Sequence, residues 1–144
     1  MKAKEYLMQV ERIDKIISNK REEIFKLRSS VESTVAISAS EKVMSSVSQD
    51  KLGDTITKMV DLQEEISADI ARLIKTRQEV IATIEQVGDA KLIELLYKSY
   101  CQYKSWEQIA CEMNFTYRWV TKLNGKALAE VQKILNAREE QEDD

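Results

Sequence analysis

A short basic segment near the end of the chain contains the residue types that bind nucleic acid. Between Tyr117 and Leu128 the sequence has Arg118, Lys122 and Lys126 and no acidic residue. Spacings of four residues place these side chains on one side of a helix. Arginine can donate two hydrogen bonds to guanine, and lysine pairs with phosphates. The segment predicts a helix that contacts DNA. The alternative interpretation is a basic helix face that is exposed to solvent and binds nothing.

The residues just before this helix meet the requirements of a helix–turn–helix. Ala110 is small, as is needed where two helices cross closely. Four positions later, Asn114 tolerates the positive φ that the turn requires. Val120, six positions further on, is the branched apolar residue expected to face the first helix. The remaining interior positions are filled by Ile109, Met113, Phe115 and Leu123. The spacing therefore predicts a helix–turn–helix.

Two hydroxyl residues predict where the two helices begin. Ser105 is the predicted N-cap of a helix over 106–113, with Gln108 at the position of a capping box. Thr116 is the predicted N-cap of a last helix that runs from residue 117 to about 137. Lys126 and Lys104 are predicted to contact phosphates, as are the backbone N–H groups at the two helix starts. The predicted DNA-binding residues are Lys104, Ser105, Thr116, Tyr117, Arg118, Thr121, Lys122 and Lys126.

The stretch from Leu96 to Leu135 resembles the C-terminal region of bacterial sigma factors (region 4), which reads the upstream promoter element. The run SWEQIA, residues 105–110, resembles that family's opening T/S-x-E-E-I-A. Val120 and the later Lys–Ala–Leu, residues 126–128, resemble its closing pattern. The resemblance implies a helix–turn–helix in which Tyr117, Arg118, Thr121 and Lys122 are the recognition residues. The family's turn glycine is Asn114 here, and Tyr117–Arg118–Trp119 replaces its charged triplet.

The whole chain also resembles a family of small phage and prophage proteins of Gram-positive bacteria. In these proteins a coiled hairpin with a Ser-rich connection precedes a sigma-like helix–turn–helix. Relatives of the ArpU and RinA type are regulators of late-gene transcription. The resemblance implies a transcription regulator that binds duplex DNA.

Composition argues against several kinds of chemistry. The chain has no histidine, which removes the commonest general base and most zinc sites. No glycine-rich phosphate loop and no paired carboxylates are visible, so we predict no enzyme activity, catalytic residue, metal site or cofactor. Cys101 and Cys111 are predicted to be small buried residues in a reducing cytoplasm. Trp106 and Trp119 are predicted to complete a small core.

Two long apolar seams precede the helix–turn–helix. Both alternate spacings of three and four residues, which is the pattern of a coiled helical pair. The first comprises Ala3, Tyr6, Val10, Ile13, Ile17, Lys20, Ile24, Leu27 and Val31, and Lys20 alone is polar. The second comprises Leu52, Ile56, Met59, Gln63, Ile66, Ile70, Leu73, Arg77, Val80, Ile84 and Val87. We therefore predict an antiparallel hairpin that needs a further partner, most simply a second copy.

The predicted organisation is all-α, with three parts. Residues 1–88 form the coiled hairpin, with a long Ser-rich connection over about 29–54. Gly88 closes the second arm and Asp89 caps the next helix, over 90 to about 102. Residues 89–137 form the sigma-like helix–turn–helix domain, and 138–144 an acidic tail.

Charge is unevenly distributed over these parts. Residues 1–88 carry 14 basic and 15 acidic side chains, whereas 89–135 carry seven basic and five acidic, a net +2. A stretch of ~20 apolar residues is absent, so no membrane span is predicted. The expected partners are duplex DNA and further copies of the chain, which form a homo-oligomer, most simply a dimer, through the N-terminal hairpin. RNA polymerase is a further candidate partner. The alternatives are a phage DNA-packaging adaptor, such as a small terminase subunit, and a module that docks on a protein.

Overall fold

Helices account for nearly all of the described chain. The computed structural model describes residues 1–41 and 46–143. These contain α1 (Ala3–Glu41), α2 (Ser46–Glu85), α3 (Ala90–Leu96), a π-helical turn (Tyr97–Cys101), α4 (Trp106–Met113) and α5 (Tyr117–Glu142). The chain has no proline, so every residue retains the backbone N–H that a long helix needs. The all-α prediction is confirmed, and no described helix is both long and apolar enough to cross a membrane.

The apolar seams lie inward as predicted over most of their length. The buried members are Ala3, Val10, Ile13, Ile17 and Ile24 on α1, and Ile66, Val80 and Ile84 on α2. Ile56 departs from the pattern, because 47% of it is exposed. The polar break at Lys20 is explained by its ion pair with Asp69 of α2, at 2.7 Å between Nζ and Oδ2. That hydrogen bond raises the pKa of the Lys20 ammonium.

The predicted connection over 29–54 is wrong in the described residues, which are helical. α1 and α2 both extend into it, and residues 42–45 lie outside the described residues. Hydroxyl side chains bond within the helices here; for example, Thr34 Oγ1 donates to the Ser30 carbonyl at 2.9 Å. Serine and threonine tolerate a helix interior in this way, so a high serine content did not end the helices.

Two compact units divide the chain, one formed by Met1–Ile13 with Leu73–Asp144 and the other by Asp14–Arg72. In the unit Asp14–Arg72 the two helices run antiparallel. Lys20 meets Asp69 there, whereas Val31, later on α1, shares a groove with Thr55, earlier on α2. The predicted hairpin is therefore present in this unit.

The other unit joins the ends of the hairpin helices to all the C-terminal helices. One hydrophobic cluster contains Ala3, Leu7, Val10, Val80, Ile84, Leu92, Leu95, Leu96, Tyr100, Cys101, Ile109, Ala110, Val120, Leu123, Ala127, Val131 and Leu135. The Ala3 N–H donates to Gln132 Oε1 at 2.8 Å, which ties the start of α1 to α5. Arg77 of α2 donates to the Cys101 carbonyl at 3.2 Å, at the end of the π-helical turn. The compact units therefore do not divide at Gly88, where the sequence predicts a domain boundary.

Local signals at the end of α2 behave as predicted. Gly88 has a φ of +83°, a conformation that favours glycine, and it ends the second arm. Asp89 Oδ1 accepts hydrogen bonds from the N–H groups of Lys91 and Leu92, so it caps α3. The helix predicted over 90 to about 102 consists of two parts, because α3 ends at Leu96 and continues as the π-helical turn. The last helix is also longer than predicted, since α5 continues to Glu142 rather than ending at about 137.

The shared core generates a stability prediction for two isoleucines of α2. Ile84 is 1% exposed within the core cluster, whereas Ile74 is 55% exposed. We expect Ile84→Ala to lower the free energy of unfolding by about 2–5 kcal/mol, through lost burial and a residual cavity. The matched change Ile74→Ala should alter it by less than about 1 kcal/mol. Urea unfolding followed by circular dichroism measures both, and equal losses would contradict this description of the core.

Candidate nucleic-acid interface

The turn between α4 and α5 has the geometry that the sequence predicts. Asn114 adopts the left-handed conformation, with φ 57° and ψ 40°. The Phe115 N–H donates to the Ala110 carbonyl at 2.9 Å, and the Asn114 N–H donates to the Cys111 carbonyl at 3.3 Å. This pair of bonds is a Schellman motif, which satisfies the last carbonyls of α4 and reverses the chain. The turn therefore sets where α5 begins.

Apolar contacts lock the two helices together. The interior positions predicted from the sequence are confirmed: Ile109, Ala110, Val120 and Leu123 are buried, and Met113 and Phe115 pack half-buried against the same core. Lys91 of α3 lies over the Phe115 ring, 5.7 Å from its centroid, at cation–π distance. The helix–turn–helix is thus held by packing on α3 as well as by its own turn.

Both predicted N-caps are formed. Ser105 Oγ accepts from the Gln108 N–H at 3.2 Å, and Thr116 Oγ1 accepts from the Trp119 N–H at 3.1 Å. These hydroxyls are already bonded to the backbone, so both residues position helix starts. Other N–H groups in the first turns of α4 and α5 have no partner within their helices, as at any helix start.

One side of α5 is exposed along its first three turns. We call this surface the α5 face; it consists of Tyr117, Arg118, Thr121, Lys122, Gly125 and Lys126, all of which are exposed. At ~100° per residue, Arg118, Thr121, Lys122 and Gly125 fall within about 100° of the helix circumference. Among the described residues, none forms an ion pair with Arg118, Lys122 or Lys126. The structure thus brings five predicted DNA-binding residues, together with Gly125, onto one cationic surface.

Lys104 differs from these cations because a carboxylate holds it. Its Nζ lies 2.6 Å from Glu112 Oε1, and Lys98 Nζ lies 3.5 Å from the other oxygen of the same carboxylate. The hydrogen bond from Lys104 lowers the pKa of the Glu112 carboxyl. This cluster ties α4 to the π-helical turn and to the loop before α4. Lys104 therefore has a structural bond that the sequence did not predict.

The two tryptophans and the two cysteines were all predicted to be packed inside the protein, and the structure confirms this for one of each. Trp106 is half-buried against the core and Cys101 is buried, as predicted. Trp119 is 48% exposed and Cys111 is exposed, so the predictions that they are packed inside are wrong. Both face outward because their neighbours Val120 and Ala110 occupy the inward positions of their helices. Trp119 is therefore an exposed aromatic residue beside the α5 face, which fits the alternative that it stacks on sugar or base.

Gly125 is an unusual residue for the middle of a helix. A methyl group added there would meet no atom of the described residues within 4 Å, so no packing contact among them requires glycine. A glycine in a helix interior costs about 1 kcal/mol relative to alanine. Its position in the α5 face leaves a shallow gap between the longer side chains, where a bound molecule can approach the helix backbone closely.

A second anchor of α5 comes from the π-helical turn. The Tyr100 hydroxyl donates to Asn124 Oδ1 at 3.2 Å, and burial raises the pKa of Tyr100. Asn124 lies beside Gly125 but is half-buried, on the inner side of the helix. The sequence predicts one continuous helix over 90 to about 102, because no residue type signals a π-helical turn.

The described residues thus form an all-helical protein whose last helices make a helix–turn–helix with a cationic outer face. Comparison of the chain with protein-family models, with curated proteins and with solved structures gave no match. What α5 binds is therefore inferred from its own exposed residues.

The left-handed residue in the turn generates a prediction. Alanine at position 114 must adopt a positive φ, which costs about 1–2 kcal/mol for a residue with a Cβ. We expect Asn114→Ala to lower the thermal unfolding midpoint and Asn114→Gly to leave it close to the wild-type value, because glycine adopts this conformation freely. Thermal unfolding monitored by circular dichroism compares them. Equal midpoints for the two variants would show that this backbone conformation carries no cost.

Proposed function

We propose that this protein is a non-enzymatic, sequence-specific transcription regulator that binds duplex DNA through residues 117–126 of α5. The observation that carries the proposal is the α5 face. It is cationic and exposed, no described residue forms an ion pair with its cations, and it begins directly after the turn at Asn114. A helix of this kind fits the major groove, where the N-terminal residues of a recognition helix meet base edges.

Each side chain of the α5 face has a role in this proposal. Arg118 would bind guanine with two hydrogen bonds, and Thr121 and Tyr117 would reach base edges or a thymine methyl group. Lys122 and Lys126 would pair with phosphates and set the register. Trp119 adds an aromatic surface on the lysine side of the helix, where it can pack on sugar atoms.

The helix starts supply a second kind of contact. Ser105 and Thr116 cap α4 and α5, and free N–H groups in those first turns can hold phosphate oxygens. Lys104 would contribute to phosphate binding only in competition with Glu112, its present partner. We therefore assign the main phosphate contacts to the lysines of α5.

We further propose that the protein acts in the cytoplasm as a homodimer and derives from a phage or prophage. The net charge of residues 89–135 is only +2, so one copy would bind DNA weakly. Two copies on one DNA molecule gain avidity, since the second binding event is intramolecular. The hairpin is the element expected to join them.

Two other functions make different predictions. A DNA-packaging adaptor would form rings, which light scattering distinguishes from a dimer. A module that docks on RNA polymerase would show no salt-dependent DNA binding. Selection of bound sequences from random duplex DNA at defined salt tests the proposed function directly, because a regulator should enrich one motif.

The α5 face generates a binding prediction. We expect Arg118→Ala with Lys122→Ala to weaken binding to a selected site by ~10- to 100-fold and to reduce the salt dependence, because a base contact and a phosphate contact are lost. Fluorescence anisotropy with labelled duplex at several salt concentrations measures both effects.

The control for this double variant is Lys75→Ala, which removes an exposed cation from α2. It should bind DNA as the wild type does. Circular dichroism should show that all variants are folded, because neither Arg118 nor Lys122 is buried. Undiminished binding by the double variant would exclude α5 as the recognition helix.

Gly125 permits a test in which stability and binding change in opposite directions. We expect Gly125→Ala to stabilise the fold by about 0.5–1 kcal/mol. The same methyl group should weaken DNA binding, because it fills the gap in the α5 face. Gly53→Ala is the matched control, since Gly53 also lies within a helix with no atom near the added methyl group. It should stabilise the protein and leave DNA affinity unchanged; equal affinities for the two variants would refute a close approach at Gly125.

A further inference from the structure

The unit Asp14–Arg72 exposes a large apolar side chain that its own helices leave uncovered. Phe25 of α1 is 69% exposed, more than any other large apolar residue described in the chain. Val60 of α2 is 47% exposed in the same unit. A lone exposed apolar residue needs no explanation, but these two share a flank of the hairpin with complementary charges.

Heptad positions show which residues share that flank. The contact between Lys20 and Asp69 marks one side of the hairpin, next to the seam. In an antiparallel helical pair, residues that follow the opposite edge of each seam lie together on the other side. We call this other side the Phe25 face; it consists of Arg21, Phe25 and Arg28 on α1, and Val60, Glu64, Ser67 and Ala71 on α2.

The two rows of the Phe25 face differ in charge and size. On α1, Arg21 and Arg28 bracket Phe25, and neither arginine forms an ion pair with a described residue. On α2, the only charged residue of the row is Glu64, and the residues after it are small: Ser67 and Ala71. Next to Phe25 the α1 row is basic, with Glu32 one turn beyond Arg28, and the α2 row is acidic, with the small residue Ser67 after Glu64.

The register of the hairpin brings these rows level. Because Lys20 lies beside Asp69 in an antiparallel pair, Phe25 lies level with residue 64 to within about one helical turn, and Arg28 lies within about one turn of Glu64. A two-fold axis parallel to the helices therefore places α1 of one copy against α2 of the other at matching heights. A two-fold axis across the helices would instead oppose the two arginine rows.

We propose that the Phe25 face is the dimer interface, with a second copy of this chain as its occupant. Phe25 of each copy packs over Ser67 of the other, which lies within about one turn of its level, and Arg28 pairs with the partner's Glu64 twice across the symmetry axis. The result is a four-helix core, which buries both hairpins better than one hairpin can. This interface deepens the proposed function, since it names how two α5 faces are joined, but its test does not require DNA.

The first experiment is sedimentation equilibrium of the full chain at micromolar concentrations. We expect a dimer for the wild type and a dimer at least about tenfold weaker for Phe25→Ala, because a buried aromatic anchor is lost. Lys26→Ala is the control; it removes a neighbouring exposed side chain that lies outside the Phe25 face, and it should not change the association. A monomeric or ring-forming wild type would overturn the proposal, as would an unweakened Phe25→Ala dimer of normal helicity.

The second experiment separates contacts between chains from contacts within a chain. Arg28→Glu and Glu64→Arg should each weaken the homodimer, because like charges then face each other at both copies of the pair. Mixing the two variants should produce heterodimers in preference to either homodimer, since every Arg28–Glu64 pair is then complementary. A mixture that associates no better than its separate components would overturn the interface. A dimer that passes both tests but selects no DNA motif would support this interface while refuting the proposed function.

Discussion

Everything in the larger compact unit depends on the burial of the second half of α5. Val131 and Leu135 of this half are apolar and buried, so other helices must cover them. The first turns of α1 and the last turns of α2 supply it, and the bond from Ala3 to Gln132 fixes the contact. Three short helices alone would enclose too little apolar surface to hold a recognition helix steady. The ends of the hairpin thus form part of the folded base on which the α5 face is mounted.

This arrangement divides α5 along its length. Its inner side belongs to the core along its length, from Val120 and Leu123 to Val131 and Leu135, whereas its first three turns also expose cations on the opposite side. The Schellman turn at Asn114 and the Thr116 cap define where the helix starts, and the bond from Tyr100 to Asn124 holds its inner side. A surface held this firmly loses little conformational freedom on binding, which is the advantage of preorganisation. Gly125 then leaves room for close contact at the centre of that surface.

Sequence reasoning succeeded where neighbours in the chain decide the outcome. Asn114, Ser105, Thr116 and Asp89 were assigned to a turn or a cap, and each has that role because the groups it bonds lie within a few residues. The seams succeeded for a similar reason, since helical periodicity alone puts one row of residues on one side. The prediction of a connection over 29–54 was wrong because it relied on composition. A high serine content is typical of loops, but a serine or threonine hydroxyl can also bond to the backbone of its own helix.

The sequence by itself therefore determined most of the helices, the caps of α3, α4 and α5, the turn and the cations of the α5 face, all of which follow from local geometry. Only the tertiary structure decided which of these side chains are exposed and which are held in ion pairs. Lys104 is held by Glu112, and Lys20 is held by Asp69 across the hairpin. Trp119 is exposed although its apolar character predicts burial. Burial and ion pairing depend on residues brought together from distant parts of the chain. Periodicity could place Arg118, Lys122 and Lys126 on one face, but only packing shows that no described residue pairs with them there.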